Sequence, residues 1–402
     1  MDLALKEIEK AAQRLKGTIH RTKIEKNTTF SNMAGGDVYL KFENQQKTGS
    51  FKIRGASNKI AALIERGEIK SGVASSAGNH AQGVAYASKV YGIPATIVMP
   101  KSTPIAKVAA TEGYGAKVVL HGDCYDDAYA KAVDIQETEG ATFLHPYDDL
   151  EVMAGQGTIG IEILEDLPTV DIVVVPAGGG GLLAGIAACI KQINPRVKII
   201  GVQSEGAPAI AQSFAKKKHI STDSAATIAD GIAVKAPGRK TVDIINKYAD
   251  DVVTVTDSEI SAAILLLLER TKQVVEPAGA TPLAAVLNGK IDVNGKKVAC
   301  VLSGGNIDVS FIQRIIDLGL ASRDRKLKFC TTLLDIPGSL AHLSNVLSGA
   351  GANIIMVQYD RFSAELDPNE AIIHMACEVS GTDHGKRVVK KLEENGYKVI
   401  KE

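Results

Sequence analysis

The sequence predicts an α/β protein with a largely parallel sheet, followed by a smaller C-terminal domain with the order βαββαβ. Through most of the 402 residues, short apolar runs alternate with longer amphipathic stretches, as in parallel sheets covered by helices on both faces. The pattern changes after a charged stretch, Arg323–Lys328, where two strand–helix–strand units follow. We therefore expect one domain over residues 1–322, with a smaller subdomain at about 45–150, and a second domain over 326–402.

The strands predicted for the first domain are short apolar runs bounded by turn-forming residues. They are Val38–Phe42, Gly72–Ser75, Ala95–Met99, Lys117–Leu120, Asp171–Val175, Lys198–Val202, Asp251–Val255 and Lys297–Leu302. Amphipathic helical patterns lie between most of these strands. Examples are Lys52–Glu65, His80–Val90, Asp126–Glu137 and Ser258–Thr271.

The second domain is predicted to be a ferredoxin-like sandwich of alternating strands and helices. Its elements in order are strand Lys328–Leu334, helix Ser339–Gly349, strand Ile354–Arg361, strand Ala371–Val379, helix His384–Asn395 and strand Tyr397–Lys401. Within the first of these helices, four apolar residues recur at helical spacing and should face the sheet. They are Leu340, Leu343, Val346 and Leu347.

The composition narrows the class of protein. The chain carries 46 Lys and Arg residues against 46 Asp and Glu residues, and tryptophan is absent. This neutral balance gives no electrostatic reason to expect nucleic acid or an anionic membrane as a partner. No apolar run approaches the roughly 20 residues that span a bilayer. Five scattered cysteines without a C-x-x-C pair indicate reduced thiols in the cytoplasm, and no metal site is predicted.

The first motif that indicates chemistry runs from Lys47 to Ala56. Gly49 and Ser50 predict a turn and an N-cap, which places Lys52 in the first turn of the following helix. A cation there opposes the helix dipole, which favours the neutral amine that a Schiff base with an aldehyde requires. A lysine taken alone is more often a solvated surface residue.

Three further motifs each follow a predicted strand. Ser75–His80 opens a helix with hydroxyl and N–H groups that suit a carboxylate, although an ordinary capped turn has similar residues. Gly178–Gly181 allows backbone N–H groups to close around a phosphate, and it matches neither the dinucleotide nor the nucleoside-triphosphate loop. Ser303–Asn306 again ends a strand in glycines. Ligands in open α/β sheets bind outside the carboxyl ends of the strands, so we expect all four motifs to converge.

In this order, the blocks S-F-K-x-R-G-A, S-A-G-N-H-A-Q-G, G-G-G-G-L and S-G-G-N resemble those of the fold-type II pyridoxal-phosphate enzymes. The closest resemblance is to the threonine dehydratases (threonine ammonia-lyases), and it covers about Leu5 to Leu320. It implies two open α/β subdomains with pyridoxal 5′-phosphate between them. It also implies β-elimination of L-threonine to 2-oxobutanoate and ammonia, with conversion of L-serine to pyruvate as a side activity.

By position in these blocks, the resemblance assigns roles to individual residues. Lys52 is expected to be the Schiff-base lysine and the general base, and Ser76 with its loop is expected to take the substrate carboxylate. The residues expected at the cofactor are Phe51 beside the ring, Asn79 at the 3′ oxygen, Gly178, Gly179, Gly180, Gly181 and Leu182 at the phosphate, Glu276 nearby, and Ser303 at the pyridine nitrogen. A neutral serine at that nitrogen makes a weaker electron sink, which favours prompt elimination.

Two positions distinguish this sequence from the related serine racemases. Those relatives carry a second serine where Ala77 stands, and alanine has no proton to give to the opposite face of the substrate. They also place acidic metal ligands in the segment that corresponds to Gln203–Ala209, where Gln203 and Ala209 are not acidic and only Glu205 is near. Both differences disfavour a racemase, and the second disfavours a divalent metal.

The C-terminal domain resembles the ACT domains, which sense amino acids in many metabolic enzymes. The residues expected to contact an effector are Asp335, Pro337, Gly338, Ser339 and Leu340 at the first strand-to-helix turn and Asn353 at the second strand. The alternative is a sheet that only dimerises, because the ferredoxin-like fold serves many functions.

The sequence thus predicts an allosteric threonine ammonia-lyase that forms homo-oligomers, either dimers or tetramers. A serine-preferring dehydratase or racemase is the alternative among enzymes, and a threonine synthase would need a second phosphate site. A non-catalytic sensor that binds the cofactor is the alternative from another class, although intact Lys52 and Ser303 disfavour it. Isoleucine would inhibit an enzyme of isoleucine biosynthesis, whereas AMP or ADP would activate a catabolic enzyme.

Overall fold

The computed structural model describes residues 2–322, 324–362 and 366–401. The chain divides into two compact units, Met1–Asp308 and Val309–Glu402. The last helix of the expected first domain, Val309–Ser322, therefore groups with the second unit. In the part of the chain that the structure describes, none of the helices has the length and apolar character needed to cross a membrane.

The first unit alternates strands and helices along almost its whole length. In chain order its elements are α1 (Leu5–Arg14), β1 (Ile24–Lys26), α2 (Thr28–Ala34), β2 (Asp37–Lys41), α3 (Lys52–Glu65), β3 (Gly72–Ser75), α4 (Asn79–Tyr91), β4 (Ala95–Met99), α5 (Ile105–Gly113), β5 (Lys117–Leu120), α6 (Tyr125–Glu139), β6 (Thr142–Phe143), α7 (Leu150–Asp166), β7 (Ile172–Pro176), α8 (Gly181–Ile193), β8 (Lys198–Ser204), α9 (Ala209–Ala215), α10 (Arg239–Tyr248), β9 (Asp251–Val255), α11 (Asp257–Thr271), α12 (Pro277–Leu287) and β10 (Lys297–Val301).

Two sheets organise the first unit. The larger has six strands in the order β1-β2-β10-β7-β8-β9, and only the β1–β2 pair is antiparallel. The smaller has four parallel strands in the order β5-β4-β3-β6. Because parallel strands end at the same edge, the segments after β7 and β10 meet at one edge of the larger sheet, and β3 ends at the matching edge of the smaller.

The cores explain why these strands are so apolar. Helices α1, α7, α8 and α10 cover the larger sheet, and β7 is buried along its whole length. Helices α3 and α4 pack on the smaller sheet, where β3 is likewise buried throughout. Strands buried on both faces are near-continuous hydrophobic runs, and this is the pattern that predicted them.

The second unit is an antiparallel four-stranded sheet with helices packed on it. Its elements are α13 (Val309–Ser322), β11 (Lys326–Leu334), α14 (Ser339–Gly349), β12 (Asn353–Asp360), β13 (Glu370–Glu378), α15 (Thr382–Glu394) and β14 (Ile400–Lys401). The strand order β12-β13-β11-β14 is that of a ferredoxin-like sandwich. Leu343 and Leu347 are fully buried against the sheet.

The predicted fold class is confirmed. All eight strands predicted for the first unit are present, with ends displaced by two residues at most. Strands β1 and β6, which have three and two residues, were not predicted. Neither is long enough to show the alternation or apolar run by which a strand is recognised.

Candidate active site

Helix α3 begins at Lys52, as predicted, but Ser50 does not cap it. The N-cap residue is Phe51, and it makes no side-chain cap bond. Ser50 instead pairs through its backbone with Gly304 in an isolated β-bridge, and its Oγ is buried without a hydrogen-bond partner in the part of the chain that the structure describes. The bridge ends the extended segment one residue before the helix, so the capping position falls on Phe51.

The Lys52 amine contacts both a polar group and an aromatic ring. Its Nζ donates to the Pro146 carbonyl oxygen at 3.0 Å and lies 5.3 Å from the centre of the Phe51 ring. Burial lowers the pKa of Lys52 to about 8, and the negative charge of Glu276 opposes this shift. At neutral pH a useful fraction of this amine is therefore uncharged, as reaction with an aldehyde requires.

The end of β10 docks directly on the start of α3. Phe51 N donates to Ser303 O at 3.0 Å, and Gly305 N donates to Gly49 O at 2.8 Å. Ser303 is only 2% exposed. Two of the four predicted motifs are thus joined by backbone hydrogen bonds.

Glu276 connects the Ser75–His80 motif to these two motifs through hydrogen bonds. It precedes α12, and its backbone N–H donates to Gly304 O at 3.0 Å. Its two carboxylate oxygens accept from Asn79 Nδ2 at 3.0 and 2.8 Å. Burial raises the pKa of Glu276 to about 7, and the bond from Asn79 partly offsets this.

One end of the Asn79 side chain is left unsatisfied. Its Oδ1 is buried and has no hydrogen-bond partner among the described residues, while its Nδ2 is held by Glu276. A buried carbonyl oxygen without a donor is costly. We therefore expect a donor group of a ligand to complete this position.

The turn between β3 and α4 carries Ser76. Its Oγ accepts from Gly78 N at 3.3 Å, and Gly78 is the N-cap of α4 without a side-chain cap. Ser76 and Ala77 are half-buried. The first N–H groups of a helix have no intrahelical partner, so this turn presents donors to an anion.

The glycine loop connects β7 to α8, and each of its glycines is closely packed. Gly180 is the N-cap of α8 and has φ of +96°, a conformation that glycine adopts without strain. A side chain at Gly179 would overlap the Tyr147 ring, and one at Gly178 would meet Ile232. The glycines thus have a packing reason in addition to the predicted phosphate contact. Leu182 follows in the first turn of α8 and is 5% exposed.

A segment that was not predicted to belong to the site links Lys52 to this loop. His145, Pro146, Tyr147 and Asp148 lie between β6 and α7, with Pro146 O on the Lys52 amine and the Tyr147 ring on Gly179. Asp148 Oδ1 accepts from the backbone of α10. The sequence signal was a His-Pro-Tyr-Asp turn after a short strand, and β6 was too short to be recognised.

A buried ionic cluster, also missed, lies beneath α3. Arg54 is fully buried and donates to the carboxylates of Glu43 and Glu162, and Lys41 donates to Glu162 at 2.5 Å. All four side chains are nine-tenths or more buried. The cluster ties the helix that carries Lys52 to β2 and α7.

The structure brings Phe51, Lys52, Asn79, Glu276 and Ser303 together through direct contacts, with the glycine loop joined to them through Tyr147. This set of polar groups fits a phosphate-bearing aldehyde. It comprises the half-buried Lys52 amine with a pKa of about 8, the N–H groups that begin α8, and the buried amide oxygen of Asn79, which is an acceptor without a donor among the described residues.

The segment compared with the metal ligands of serine racemases and the residues predicted for effector binding lie elsewhere. Gln203 is fully buried and its Oε1 accepts from Ala211 N at 2.8 Å. Across the described ranges, no group of three or more His, Cys, Asp or Glu side chains is arranged to hold a metal. In the second unit, Asp335 Oδ1 accepts from Tyr359 OH at 3.0 Å and Arg361 Nη2 at 2.9 Å. The remaining predicted effector residues surround the start of α14 and of β12. They are Pro337, Gly338, Ser339, Leu340 and Asn353.

Comparison with known proteins gives a consistent result. The family model for pyridoxal-phosphate dependent enzymes matches residues 15–304. The chain is 49% identical over 397 residues to an L-threonine ammonia-lyase of Thermotoga maritima, with 99% of each chain covered. It is 48% identical over 317 residues to the catabolic L-threonine dehydratase of Escherichia coli, covering 78% of this chain and 96% of that relative. The solved structure of maize serine racemase is similar with a TM-score of 0.75 at 36% identity, covering 80% of this chain and 99% of the racemase chain.

Proposed function

Because this chain belongs to the family of pyridoxal-phosphate dependent enzymes, we propose that it is an L-threonine ammonia-lyase, which converts L-threonine to 2-oxobutanoate and ammonia. L-serine, which lacks one methyl group, is converted to pyruvate as a side activity. Pyridoxal 5′-phosphate is the cofactor. Relatives named for this activity match almost the whole chain.

The observation that carries the proposal is the environment of the Lys52 amine. It is half-buried, its pKa is about 8, and it lies at the junction of the segments that end β3, β7 and β10. A lysine whose pKa is close to neutral pH can form a Schiff base with an aldehyde and can also act as a general base.

The other residues hold and orient the reactants. When bound, pyridoxal phosphate supplies the electron sink for charge that develops on the substrate α-carbon. The N–H groups of Gly178–Leu182 would receive its phosphate, Ser303 would meet the pyridine nitrogen, and Asn79, held by Glu276 through Nδ2, would meet the 3′ hydroxyl through Oδ1. Ser76 and the start of α4 receive the substrate carboxylate, and Lys52 takes the α-proton. Loss of the β-hydroxyl as water leaves an enamine, which hydrolyses to the 2-oxo acid and ammonia.

The residue at position 77 favours elimination over racemisation. Racemisation requires a proton donor on the face opposite Lys52, and Ala77 has none. Because the chain is similar to maize serine racemase, a serine racemase is the second candidate function. The product separates the two, because a racemase forms D-serine and a lyase forms a 2-oxo acid.

The second unit supports a regulatory proposal. Its ferredoxin-like sheet is consistent with an ACT domain, and the turn from Asp335 to Leu340 offers exposed backbone at a helix start to an amino-acid carboxylate. The effector would be isoleucine, as an inhibitor, in a biosynthetic enzyme, or AMP or ADP, as an activator, in a catabolic enzyme. Strand β12 is an edge strand that exposes Ile355, Met356 and Val357, which favours self-association into a homo-oligomer. The free cysteines agree with a cytoplasmic location.

The test is release of 2-oxo acid from L-threonine and, separately, from L-serine, each with and without isoleucine or ADP. We expect faster turnover of L-threonine, and no turnover by Lys52→Ala. Lys101→Ala, which removes an exposed lysine, is the matched control and should match the unaltered protein. If yellow, cofactor-loaded protein releases no oxo acid from either substrate, the lyase proposal is wrong.

A further inference from the structure

The acceptor of the Lys52 amine belongs to a peptide group that His145 holds from the other side. Pro146 O accepts from Lys52 Nζ at 3.0 Å. The N–H of the same peptide group, that of Tyr147, donates to His145 Nδ1 at 3.2 Å. In a planar trans peptide the C=O and N–H point in opposite directions, so fixing one fixes the other.

His145 binds a second N–H group of the same turn. Asp148 N donates to His145 Nδ1 at 2.9 Å, so this nitrogen is an acceptor and carries no proton. The ring also makes an edge contact with Tyr147 at 4.8 Å between centres. The turn is therefore closed around the imidazole, with Pro146 at its tip.

Flanking contacts fix the turn to the rest of the first unit. Tyr147 OH donates to Ala236 O at 3.1 Å, and Asp148 Oδ1 accepts from Lys240 N at 2.9 Å. Proline has no N–H, so the carbonyl is the one polar backbone group that Pro146 offers. These contacts fix the position of the turn, and His145 orients its central peptide group through Tyr147 N and also holds Asp148 N.

We propose that His145 is a positioning residue for Lys52, because its Nδ1 aims the Pro146 carbonyl at the place where the amine rests when it is not covalently bound. This inference rests on the proposed function. A neutral amine that donates one N–H to Pro146 keeps its lone pair free, and that lone pair receives the substrate α-proton. Without the directed acceptor, the freed lysine samples other rotamers and the proton transfer slows.

The experiment compares His145→Ala, which removes the acceptor, with His145→Asn, whose side-chain oxygen accepts from the N–H two residues on. His121→Ala is the matched control, since His121 is exposed and lies on the smaller sheet's side of the unit. Two readouts are used. One is the rate at which cofactor-free protein captures pyridoxal phosphate as a function of pH. The other is kcat with L-threonine, with the isotope effect of deuterium at the α-carbon.

For His145→Ala we expect kcat to fall roughly tenfold to a hundredfold with little change in KM, and the isotope effect to rise. The midpoint of capture should move to lower pH, because the amine loses an acceptor that favours its charged form. His145→Asn should restore most of both properties. If His145→Ala does not fold, His145→Phe keeps the ring contact with Tyr147 and still lacks the acceptor.

An unchanged kcat, isotope effect and capture midpoint in folded His145→Ala would overturn the inference. So would a His145→Asn variant as impaired as His145→Ala, because the acceptor would then not be the cause. If the unaltered protein releases no oxo acid, the proposed function fails. The capture profiles would still decide whether His145 positions the amine.

Discussion

The ring of Tyr147 occupies the space into which any side chain at position 179 would project. The contact is between the turn that accepts from Lys52 and the loop expected to hold the phosphate. Gly181 is close to the backbone of the same tyrosine. One aromatic residue therefore sets the separation of the two parts of the site.

Replacing Gly179 by alanine should force Tyr147 out of this position. We expect a loss of about 1–3 kcal/mol in the free energy of unfolding, as for other overpacked sites, together with weaker cofactor binding. Urea unfolding and titration with pyridoxal phosphate measure the two effects. Gly113→Ala is the control, because a Cβ there meets nothing within 4 Å. Equal effects of the two substitutions would contradict this account.

Removal of Arg54 should lower the free energy of unfolding much more than removal of an ordinary surface residue of a helix. Arg54→Met would leave the carboxylates of Glu43 and Glu162 buried beside one remaining cation, Lys41. Breaking a buried ion pair costs about 3–5 kcal/mol, and we expect a loss of this size in urea unfolding of the cofactor-free protein. Lys10→Met, which breaks an exposed pair with Glu7, should cost under about 0.5 kcal/mol. A cost below 1 kcal/mol for Arg54→Met would show that the cluster is hydrated.

Capture of the cofactor should report the lowered pKa of Lys52. The rate should rise with pH and reach half its maximum near pH 8, because only the neutral amine attacks the aldehyde. Glu276→Gln should move this midpoint lower, since the charge of Glu276 stabilises the ammonium. Stopped-flow absorbance on cofactor-free protein gives the profile. A midpoint close to the 10.5 of an ordinary lysine would mean that the amine is well solvated.

The stability of the cofactor-free protein should depend on the ionisation of Glu276. Its folded pKa of about 7 lies above the ordinary 4.5, so the folded state favours the protonated acid. The free energy of unfolding should therefore fall as pH rises from about 4.5 to 7, and the loss should be complete above pH 7. Glu276→Gln should lack this component. Denaturant unfolding at pH 5 and pH 8 checks it, and a parallel pH dependence of the two proteins would refute it.

Asp335 should govern the effector response and leave basal turnover unchanged. It organises Tyr359 and Arg361 beside the start of α14. Asp335→Ala should weaken inhibition by isoleucine, or activation by ADP, about tenfold or more in effector concentration, with kcat unaltered in the absence of effector. Glu394→Gln, a change on the exposed end of α15, is the control. An unchanged effector response would place the effector site elsewhere.

The sequence predicted most of the fold because the strands are buried on both faces and the helices are amphipathic, and both patterns are local. It also indicated where Ser76, Gly178–Gly181 and Ser303 lie, since each follows a strand end, and it placed Lys52 in the first turn of a helix. It could not indicate what Asn79 or Ser50 contacts. Those partners, Glu276 and Gly304, are distant in sequence and determined by tertiary packing.

The roles of two further residues could not be predicted for the same reason. Arg54 on a helix is ordinarily a solvated charge, and only the packing of α3 on α7 shows that it is buried against Glu162. His145 in a polar turn has no metal-like spacing, and its role depends on the orientation of a single peptide group. Local sequence constrains the conformation of a segment but not the partner that the segment meets.

The backbone pairing of Ser50 with Gly304 has a consequence for synthesis. Lys52 leaves the ribosome well before residues 303–305, which close its site, are translated. A contact between such distant positions forms late, because the intervening chain must first be made and then ordered. Nascent protein therefore cannot retain its cofactor until residues 303–305 have emerged. A shortage of the cofactor would therefore affect only chains whose first unit has been completely translated.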